Sequence, residues 1–194
     1  MSFLKTGKRG LCFILSAASG VGKTTVVESV VNECPDKIER IITCTTRAPR
    51  GEEKDGIDYR FFDDKTFQAK EANGDFLEHQ TIYGNCYGTL LADVEDVLKR
   101  GKHAFLVIDV QGAAEVMNKL NCVTIFLMPP SIEELEKRIR LRNQDDQEAI
   151  ELRLSKARSE MAHVKKYNYV VTNDEVQEAV SIIKSIVVAE EHKQ

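Results

Sequence analysis

The stretch Leu11-Cys12-Phe13-Ile14-Leu15-Ser16-Ala17-Ala18-Ser19-Gly20-Val21-Gly22-Lys23-Thr24-Thr25 decides the fold. Its apolar run predicts a buried strand, its glycines predict a turn, and the residues that follow predict a helix. Glycines let successive backbone N–H groups surround phosphate oxygens, and a helix N-terminus favours an anion. Lys23 could reach the β- and γ-phosphates, and the Thr24 hydroxyl could ligate Mg²⁺. The order strand, loop, helix therefore predicts a site for a nucleoside triphosphate.

This loop departs at one position from the full pattern G-x-x-x-x-G-K-[ST], because Ala17 stands where the pattern has glycine. An ordinary glycine-rich turn between a strand and a helix is the alternative, and the flanking elements favour the phosphate loop. The residues expected to bind the triphosphate are Ala17, Ala18, Ser19, Gly20, Val21, Gly22, Lys23, Thr24 and Thr25.

The composition is that of one globular domain covering 1–194, with 42% hydrophobic and 30% charged residues. The net charge of −4 argues against a general nucleic-acid binder, which would need a basic excess. The apolar run behind Lys5 and Lys8 is far shorter than the roughly 20 residues of a membrane span and leads straight into the loop. We expect neither a membrane segment nor a signal peptide.

Five cysteines, an odd number, occur without a CxxC spacing, and three of them lie in apolar, strand-like runs. Buried free thiols are therefore expected. A chain of this kind is predicted to work in the reducing cytoplasm.

Short apolar runs alternate with helical patterns along the chain, which predicts an α/β fold with a parallel sheet flanked by helices. The predicted strands of this sheet are 11–15, 41–44, 104–108, 123–127 and 169–171. The predicted helices are 24–33, 91–100, 112–119, 131–141, 147–165 and 175–190.

Two regions break this alternation. A polar loop at 47–56 and short aromatic strands after it predict a small mixed β insert. Residues 131–163 are helical and densely charged, with several arginines among many acids. Composition alone would favour a solvent-exposed helical pair there.

The insert begins with two arginines, Arg47 and Arg50, directly after an apolar run, where α/β folds bind ligands. A guanidinium group can bind phosphate oxygens through two hydrogen bonds, and the Tyr59 and Tyr87 hydroxyls could add donors. Two solvated loop arginines are the alternative. A phosphate loop in the same chain favours a second phosphate, since phosphoryl transfer needs an acceptor.

The motifs S-x-x-S-G-V-G-K-T, T-T-R-x-P-R, E-x-x-G-x-D-Y, F-x-E, Y-G-x-x-Y-G-T, I-D-x-Q-G and V-x-N-D occur in order from about residue 10 to 188. Together they resemble the guanylate kinases. The resemblance implies a P-loop NTPase-type parallel sheet with a GMP-binding insert and a helical lid in a single domain. It places the core at about 1–40, 92–130 and 164–194, the insert at 41–91 and the lid at 131–163.

The resemblance also implies a GMP site. Arg47, Arg50, Tyr59 and Tyr87 fall where the family holds the GMP phosphate, and Glu78 falls where a glutamate reads guanine. Thr43 and Thr89 stand where the family often has serine, which keeps a hydroxyl for guanine O6. Asp109 falls near the guanosine and the reacting phosphates.

On the ATP side, Arg138, Arg142 and Arg153 match phosphate-contacting arginines of the lid, and Asn143 replaces a glycine. Asn173 matches a residue that touches adenine; the alternative is a helix N-cap shared with Asp174. A commonly acidic position is Val107 here, which leaves Thr24 as the one metal ligand expected, for Mg²⁺. Lys23, Arg47, Arg142 and Arg153 are the expected catalytic cations.

The activity implied is transfer of the γ-phosphoryl group of MgATP to GMP, or dGMP less efficiently, giving ADP and GDP in purine nucleotide metabolism. A non-catalytic guanylate-kinase-like binding module stays open, although such modules tend to have lost the phosphate loop. A kinase for another monophosphate and a nucleotide-driven switch are further alternatives. The expected ligands are ATP and GMP, and the sequence leaves the oligomeric state open.

Overall fold

The computed structural model describes residues 9–18, 20–142 and 147–193, apart from the side chains of Arg142 and Ala149. The strands are β1 Cys12–Ala17, β2 Ile38–Arg40, β3 Cys44–Thr45, β4 Arg60–Phe61, β5 Phe76–Ile82, β6 Asn85–Leu90, β7 His103–Val107, β8 Val123–Met128 and β9 Tyr169–Thr172. The α-helices are α1 Lys23–Glu33, α2 Asp64–Ala72, α3 Leu91–Lys99, α4 Val110–Lys119, α5 Ile132–Arg142, α6 Gln147–Met161 and α7 Val176–Glu191, and Val164–Lys166 forms a short 3₁₀-helix.

The larger sheet is parallel, with strand order β2-β7-β1-β8-β9 and β1 at its centre. Leu15 lies opposite Val107 on one side of β1, and Ala17 lies opposite Leu127 on the other. The carboxyl ends of β1, β7 and β8 therefore meet at one edge, which is where open α/β sheets bind ligands.

Helices cover both faces of this sheet. Successive side chains of β1 point to opposite faces, so each face packs against its own set of helices. Phe13 and Leu15 pack with α1, α5, α6 and α7 in one hydrophobic cluster. Cys12 and Ile14 pack with α3 and α4 in another. The predicted α/β fold is confirmed, and the inner strands β1, β7 and β8 are largely buried on both faces, as their continuous apolar sequences indicated.

A second, mixed sheet of order β4-β3-β6-β5 corresponds to the predicted β insert. β3 runs parallel to β4 and antiparallel to β6, and β5 and β6 form a hairpin. Phe67 of α2 stacks on Phe76 of β5 at 4.5 Å between ring centroids. This small aromatic core holds the insert together beside the main sheet.

The charged helices α5 and α6 are not simply a solvent-exposed pair. Leu135 and Ile139 of α5 and Ile150, Leu154 and Ala157 of α6 are buried in the same cluster as β1. Their charged faces carry ion pairs one helical turn apart, such as Arg140 with Glu136 at 2.6 Å. Each helix is amphipathic. Its apolar stripe is not apparent from the number of charged residues alone.

The prediction of a core strand at 41–44 was wrong. Ile41 still donates its backbone N–H to Phe105 O at 3.0 Å beside the main sheet, whereas Cys44 already belongs to β3 of the second sheet. The apolar run is the crossing between the two sheets, because β2 occupies the edge position with Ile38–Arg40.

All five cysteines are free thiols, with Cys12 and Cys44 buried and the others partly exposed. Burial raises the pKa of both buried thiols to about 12, so they are unreactive. Within the described ranges, the helices are all too short or too polar to cross a bilayer.

Candidate active site

The loop between β1 and α1 has the geometry of a phosphate cradle. Gly20 and Gly22 adopt φ of 90° and 98°, a region that other residues rarely enter. A Cβ on Gly20 would lie 2.9 Å from Ile139 Cγ1, so the loop is pressed against α5 and needs glycine there. Ser19, predicted to bind the triphosphate, lies outside the described residues.

Asn173 holds this loop from the end of β9. Its buried Nδ2 donates to Val21 O at 2.8 Å. It is not a helix cap, because α7 begins at Val176 behind Glu175 and has no side-chain cap. The N-cap alternative for Asn173 was therefore wrong, and its side chain reaches the phosphate loop instead.

Lys23 and Thr24 form the first turn of α1, directly after the left-handed Gly22. Burial lowers the pKa of the Lys23 ammonium, with Lys156 acting in the same direction, while Glu160 and Asp109 oppose the shift. The side chain is thus a poorly hydrated cation, which binds a phosphate more strongly than a fully solvated one.

One cavity of about 770 Å³ adjoins the main sheet, the second sheet and α6. It brings together most of the residues predicted for both nucleotides. From the predicted set, the cavity is lined by Ala17, Ala18, Gly20, Val21, Gly22, Lys23, Thr24, Thr25, Thr43, Arg50, Tyr59, Glu78, Tyr87, Asp109 and Arg153.

Glu78 is a carboxylate inside this cavity with 2% of its surface exposed. Its Oε1 accepts from the Thr89 hydroxyl at 2.6 Å. Burial raises its pKa to about 7, with Asp109 and Glu115 adding to the shift, while the Thr89 bond and Lys119 oppose it. A buried acid that faces a cleft is a mark of a binding site rather than of a surface strand.

Asp109 lies two residues after β7 and caps α4. Its Oδ1 accepts from the backbone N–H groups of Gln111 and Gly112, both at 3.0 Å. It also accepts from Gln80 Nε2 at 2.7 Å. These bonds supply the partners that a partly buried carboxylate needs.

The two arginines of the insert differ in environment. Arg47 is buried, and its Nη2 lies 2.9 Å from Glu53 Oε2. Its guanidinium also lies 5.3 Å from the ring centre of Tyr59. Arg50 is exposed and lines the cavity. The structure therefore places one arginine behind the cavity wall, against a carboxylate, and one at the cavity.

The lid residues are similarly divided. Arg153 of α6 lines the cavity. Arg138 lies away from it, donating to Asn173 O at 2.8 Å and Asp174 O at 3.2 Å. The Arg142 side chain lies outside the described residues, as does Asn143. Thr89 is buried behind Glu78 rather than at the surface of the cavity.

Sequence reasoning missed Glu53, Gln80, Lys156 and Glu160. Gln80, Lys156 and Glu160 line the cavity, and Glu53 binds Arg47. The alternation of side chains along a strand that already contained Glu78 was a signal for Gln80. No local pattern distinguished Lys156 and Glu160 from the other charges of α6.

Few of the described side chains at this site could bind Mg²⁺, so most ligands of the ion would come from water and from substrate phosphates. In the described part of the chain, no group of three or more His, Cys, Asp and Glu side chains could hold a metal. The exposed Thr24 hydroxyl and the Asp109 carboxylate line the same cavity. Mg²⁺ commonly keeps water and substrate phosphate oxygens as ligands, so a protein donor set this small fits it.

Comparisons with known proteins agree with this geometry. The guanylate kinase family model matches residues 9–190. The chain is 40% identical over 197 aligned positions to the guanylate kinase of Chlamydia felis, covering 100% of this chain and 97% of that protein. It is 45% identical over 183 positions to the guanylate kinase of Myxococcus xanthus, with 93% and 87% covered.

A solved structure resembles the whole fold. The crystal structure of guanylate kinase from Anaplasma phagocytophilum superposes with a TM-score of 0.80 at 35% identity, covering 96% of this chain and 89% of that one. Family model, relatives and fold all agree over nearly the full length, and the chain belongs to the guanylate kinase family.

Proposed function

We propose that this protein transfers the γ-phosphoryl group of MgATP to GMP, giving ADP and GDP, with dGMP as a less efficient acceptor. One observation carries the proposal: the phosphate loop with Lys23 and the buried base-reading candidate Glu78 open into the same cavity. Donor and acceptor nucleotides can therefore meet in one cavity, which phosphoryl transfer requires.

Cations overcome the repulsion between the two phosphates in this proposal. Lys23 and Arg153 act on the transferred group, together with Arg142 and Arg47. Arg50, Tyr59 and Tyr87 hold the GMP phosphate. The acceptor phosphate is itself nucleophilic, so catalysis rests on charge placement rather than on a general base.

The ATP site is proposed to extend from the phosphate loop toward Arg138 and Asn173. Asn173 follows β9 and supports this loop, and Arg138 of α5 reaches the same place by donating to Asn173 O at 2.8 Å. When bound, Mg²⁺ would reduce the negative charge on the ATP phosphates, with Thr24 as its protein ligand.

Guanine recognition is assigned to Glu78, with Thr43 proposed for O6 and Thr89 acting through its hydrogen bond to Glu78. A carboxylate can accept from both N1–H and the exocyclic amine of guanine, whereas that edge of adenine offers no such pair of donors. The Thr89 bond orients the Glu78 carboxylate toward this task.

The proposed domain boundaries follow from these roles in binding ATP and GMP. The core comprises about 1–40, 92–130 and 164–194, the GMP insert 41–91 and the lid 131–163. Insert and lid would close over both nucleotides and exclude water, which would otherwise hydrolyse ATP. The relatives named above are bacterial, and we place the protein in the cytoplasm with no nucleic-acid or membrane partner.

An assay of ADP release with and without GMP tests the function. We expect release to depend on GMP and to be lost in Lys23→Met, which keeps the length of the side chain but removes its charge. ADP release that ignores GMP would point to the nucleotide-driven switch, and no release at all would point to the non-catalytic module.

A second assay tests the base assignment. Glu78→Gln should raise the GMP concentration required by about two orders of magnitude, because a buried acceptor for two donors is lost. Unchanged selectivity over AMP would contradict the role of Glu78.

A further inference from the structure

Glu78 is followed on the same face of β5 by a second polar side chain, Gln80, because side chains two residues apart on a strand share a face. Both line the cavity. Gln80 Nε2 donates to Asp109 Oδ1 at 2.7 Å, which is a hydrogen bond from the insert to the core. It joins the strand that holds the base reader to the first turn of α4.

The amide orientation of Gln80 follows from its partner. An ionised carboxylate only accepts, so the nitrogen of Gln80 must face Asp109. Oδ1 of Asp109 also receives the N–H groups of Gln111 and Gly112. These three bonds fix the carboxylate, and they leave Oδ2 without a hydrogen bond from any described residue.

The two carboxylates lie near each other at the start of α4. A Cβ on Gly112 would lie 2.6 Å from Glu78 Oε2 and 3.5 Å from Gln80 Nε2. Glu78, Gln80 and the cap formed by Asp109 therefore converge on one point. The charge of Asp109 also contributes to raising the pKa of Glu78.

We propose that Gln80 is a positioning residue for guanine recognition, acting through Asp109; the proposal rests on the GMP kinase function proposed above. The exocyclic amine of guanine has two hydrogens. Glu78 accepts one of them together with N1–H, and Asp109 Oδ2, held in place by Gln80, accepts the other. Inosine monophosphate (IMP) lacks this amine, so Gln80 favours GMP over IMP.

The stability of the fold does not explain why residue 80 is a glutamine. Its Oε1 is buried without a hydrogen-bond partner, which is unfavourable for the folded state. An apolar side chain of similar shape would not bury an unpaired polar atom. Gln80→Met is therefore a test that removes the donor and keeps the packing volume.

The experiment measures GMP and IMP in parallel, by turnover with MgATP and by direct binding calorimetry. In Gln80→Met we expect kcat/KM for GMP to fall about tenfold, as for loss of one charge-assisted hydrogen bond. The kcat/KM for IMP should change by less than about twofold. Thr81→Ala is the matched control, because Thr81 is exposed on the opposite face of β5, and it should behave as wild type.

A parallel fall for GMP and IMP would overturn the proposal, since that is what general damage to the site produces. If Gln80→Met fails to fold, Gln80→Asn carries the same test, because its amide is too short to reach Asp109. In an Asp109→Asn background, Gln80→Met should cause no further loss of GMP preference. A wild-type protein that does not phosphorylate GMP would instead refute the proposed function, whatever Gln80 does.

Discussion

At the scale of single residues, the site is defined by where charge is buried. Glu78 is almost fully enclosed, and the ammonium of Lys23 is poorly hydrated. Both are unfavourable in an empty fold and become favourable when a ligand supplies the missing partner. Ligand binding is therefore expected to depend on pH and on small changes in volume around these groups.

The first prediction concerns pH. The pKa of Glu78 is raised to about 7 from its usual 4.5, so the folded protein holds this proton more tightly than the unfolded chain. Stability contributed by the neutral acid is fully present below pH 4.5 and is lost as pH rises through about 7. In the proposed guanine contact the Glu78 carboxylate is the acceptor, so GMP affinity should rise with pH up to about 7 and then level off.

Calorimetric titration of GMP between pH 5.5 and 8.5 measures this dependence. The second ionisation of a phosphate monoester, near pH 6, also contributes. Glu78→Gln removes the titrating carboxyl group of the protein. The pH dependence of GMP affinity in the variant should therefore come from the phosphate alone. Identical pH profiles for variant and wild type would contradict the assignment.

The second prediction concerns Gly112, a glycine inside a helix where alanine would ordinarily be preferred. A Cβ there would lie 2.6 Å from Glu78 Oε2. Gly112→Ala should therefore displace the carboxylate and weaken GMP binding about tenfold or more, since one hydrogen-bonded contact is misplaced. Calorimetry with GMP and with an ATP analogue separates the effects, because the clash is with Glu78, which is assigned to guanine, and ATP affinity should change less.

At the scale of elements, the insert and the lid already touch. Tyr83 and Gly84 form the two-residue turn between β5 and β6 with φ of 50° and 78°, the signature of a type I′ hairpin that prefers Asn-Gly. Tyr83 is thus a strained choice. Its ring lies 5.4 Å from Lys156 Nζ of α6, a cation–π contact between two residues that line the cavity.

The third prediction follows from this contact. Tyr83→Asn should relax the turn and leave the melting temperature equal or higher. Loss of a cation–π contact worth about 0.5–1 kcal/mol should raise KM for GMP about two- to fivefold, because the closed arrangement becomes less favourable. Tyr83→Phe keeps the ring and should match wild type in steady-state kinetics. Equal KM values for the Asn and Phe variants would show that the contact has no part in closure.

Sequence patterns located these elements unevenly. Continuous apolar runs predicted β1, β7 and β8 because inner parallel strands are buried on both faces, and the shorter run at 169–171 predicted the edge strand β9. The run at 41–44 looked the same locally but crosses between two sheets, and only tertiary pairing decides that. Helix α2 was missed because Phe67 is its one buried residue, so its periodicity is weak, although Asp63 caps it by accepting from Thr66 N at 2.6 Å.

Site residues were predictable where a motif fixes the local backbone, and unpredictable where distant segments meet. Lys23 and Thr24 follow from the loop itself. The bond from Gln80 to Asp109 joins residues 29 positions apart, and the cavity position of Glu160 depends on how α6 packs. Charge alone could not separate Glu160 from its neighbours on a helix rich in acids and bases.

At the scale of the molecule, residues from the main sheet, the second sheet and α6 line one shared cavity. The main sheet supplies the phosphate loop, the second sheet supplies Glu78, the loop after β3 supplies Arg50, and α6 supplies Arg153 and Lys156. A ligand that touches all three should stabilise the protein more than either nucleotide alone, because linking two ligands removes the separate entropic cost of the second.

The last prediction uses adenosine and guanosine joined through a chain of phosphates. At about one hundred times its dissociation constant, the compound should raise the free energy of unfolding by about 2.7 kcal/mol. For a domain of this size that is a rise in melting temperature of roughly 5–10 °C. At equal concentration the diadenosine compound should give a smaller rise, because Glu78 has no pair of donors to accept from adenine. Lys23→Met should reduce both shifts, and equal shifts for the two compounds in the wild type would mean that the guanine site does not adjoin the ATP site.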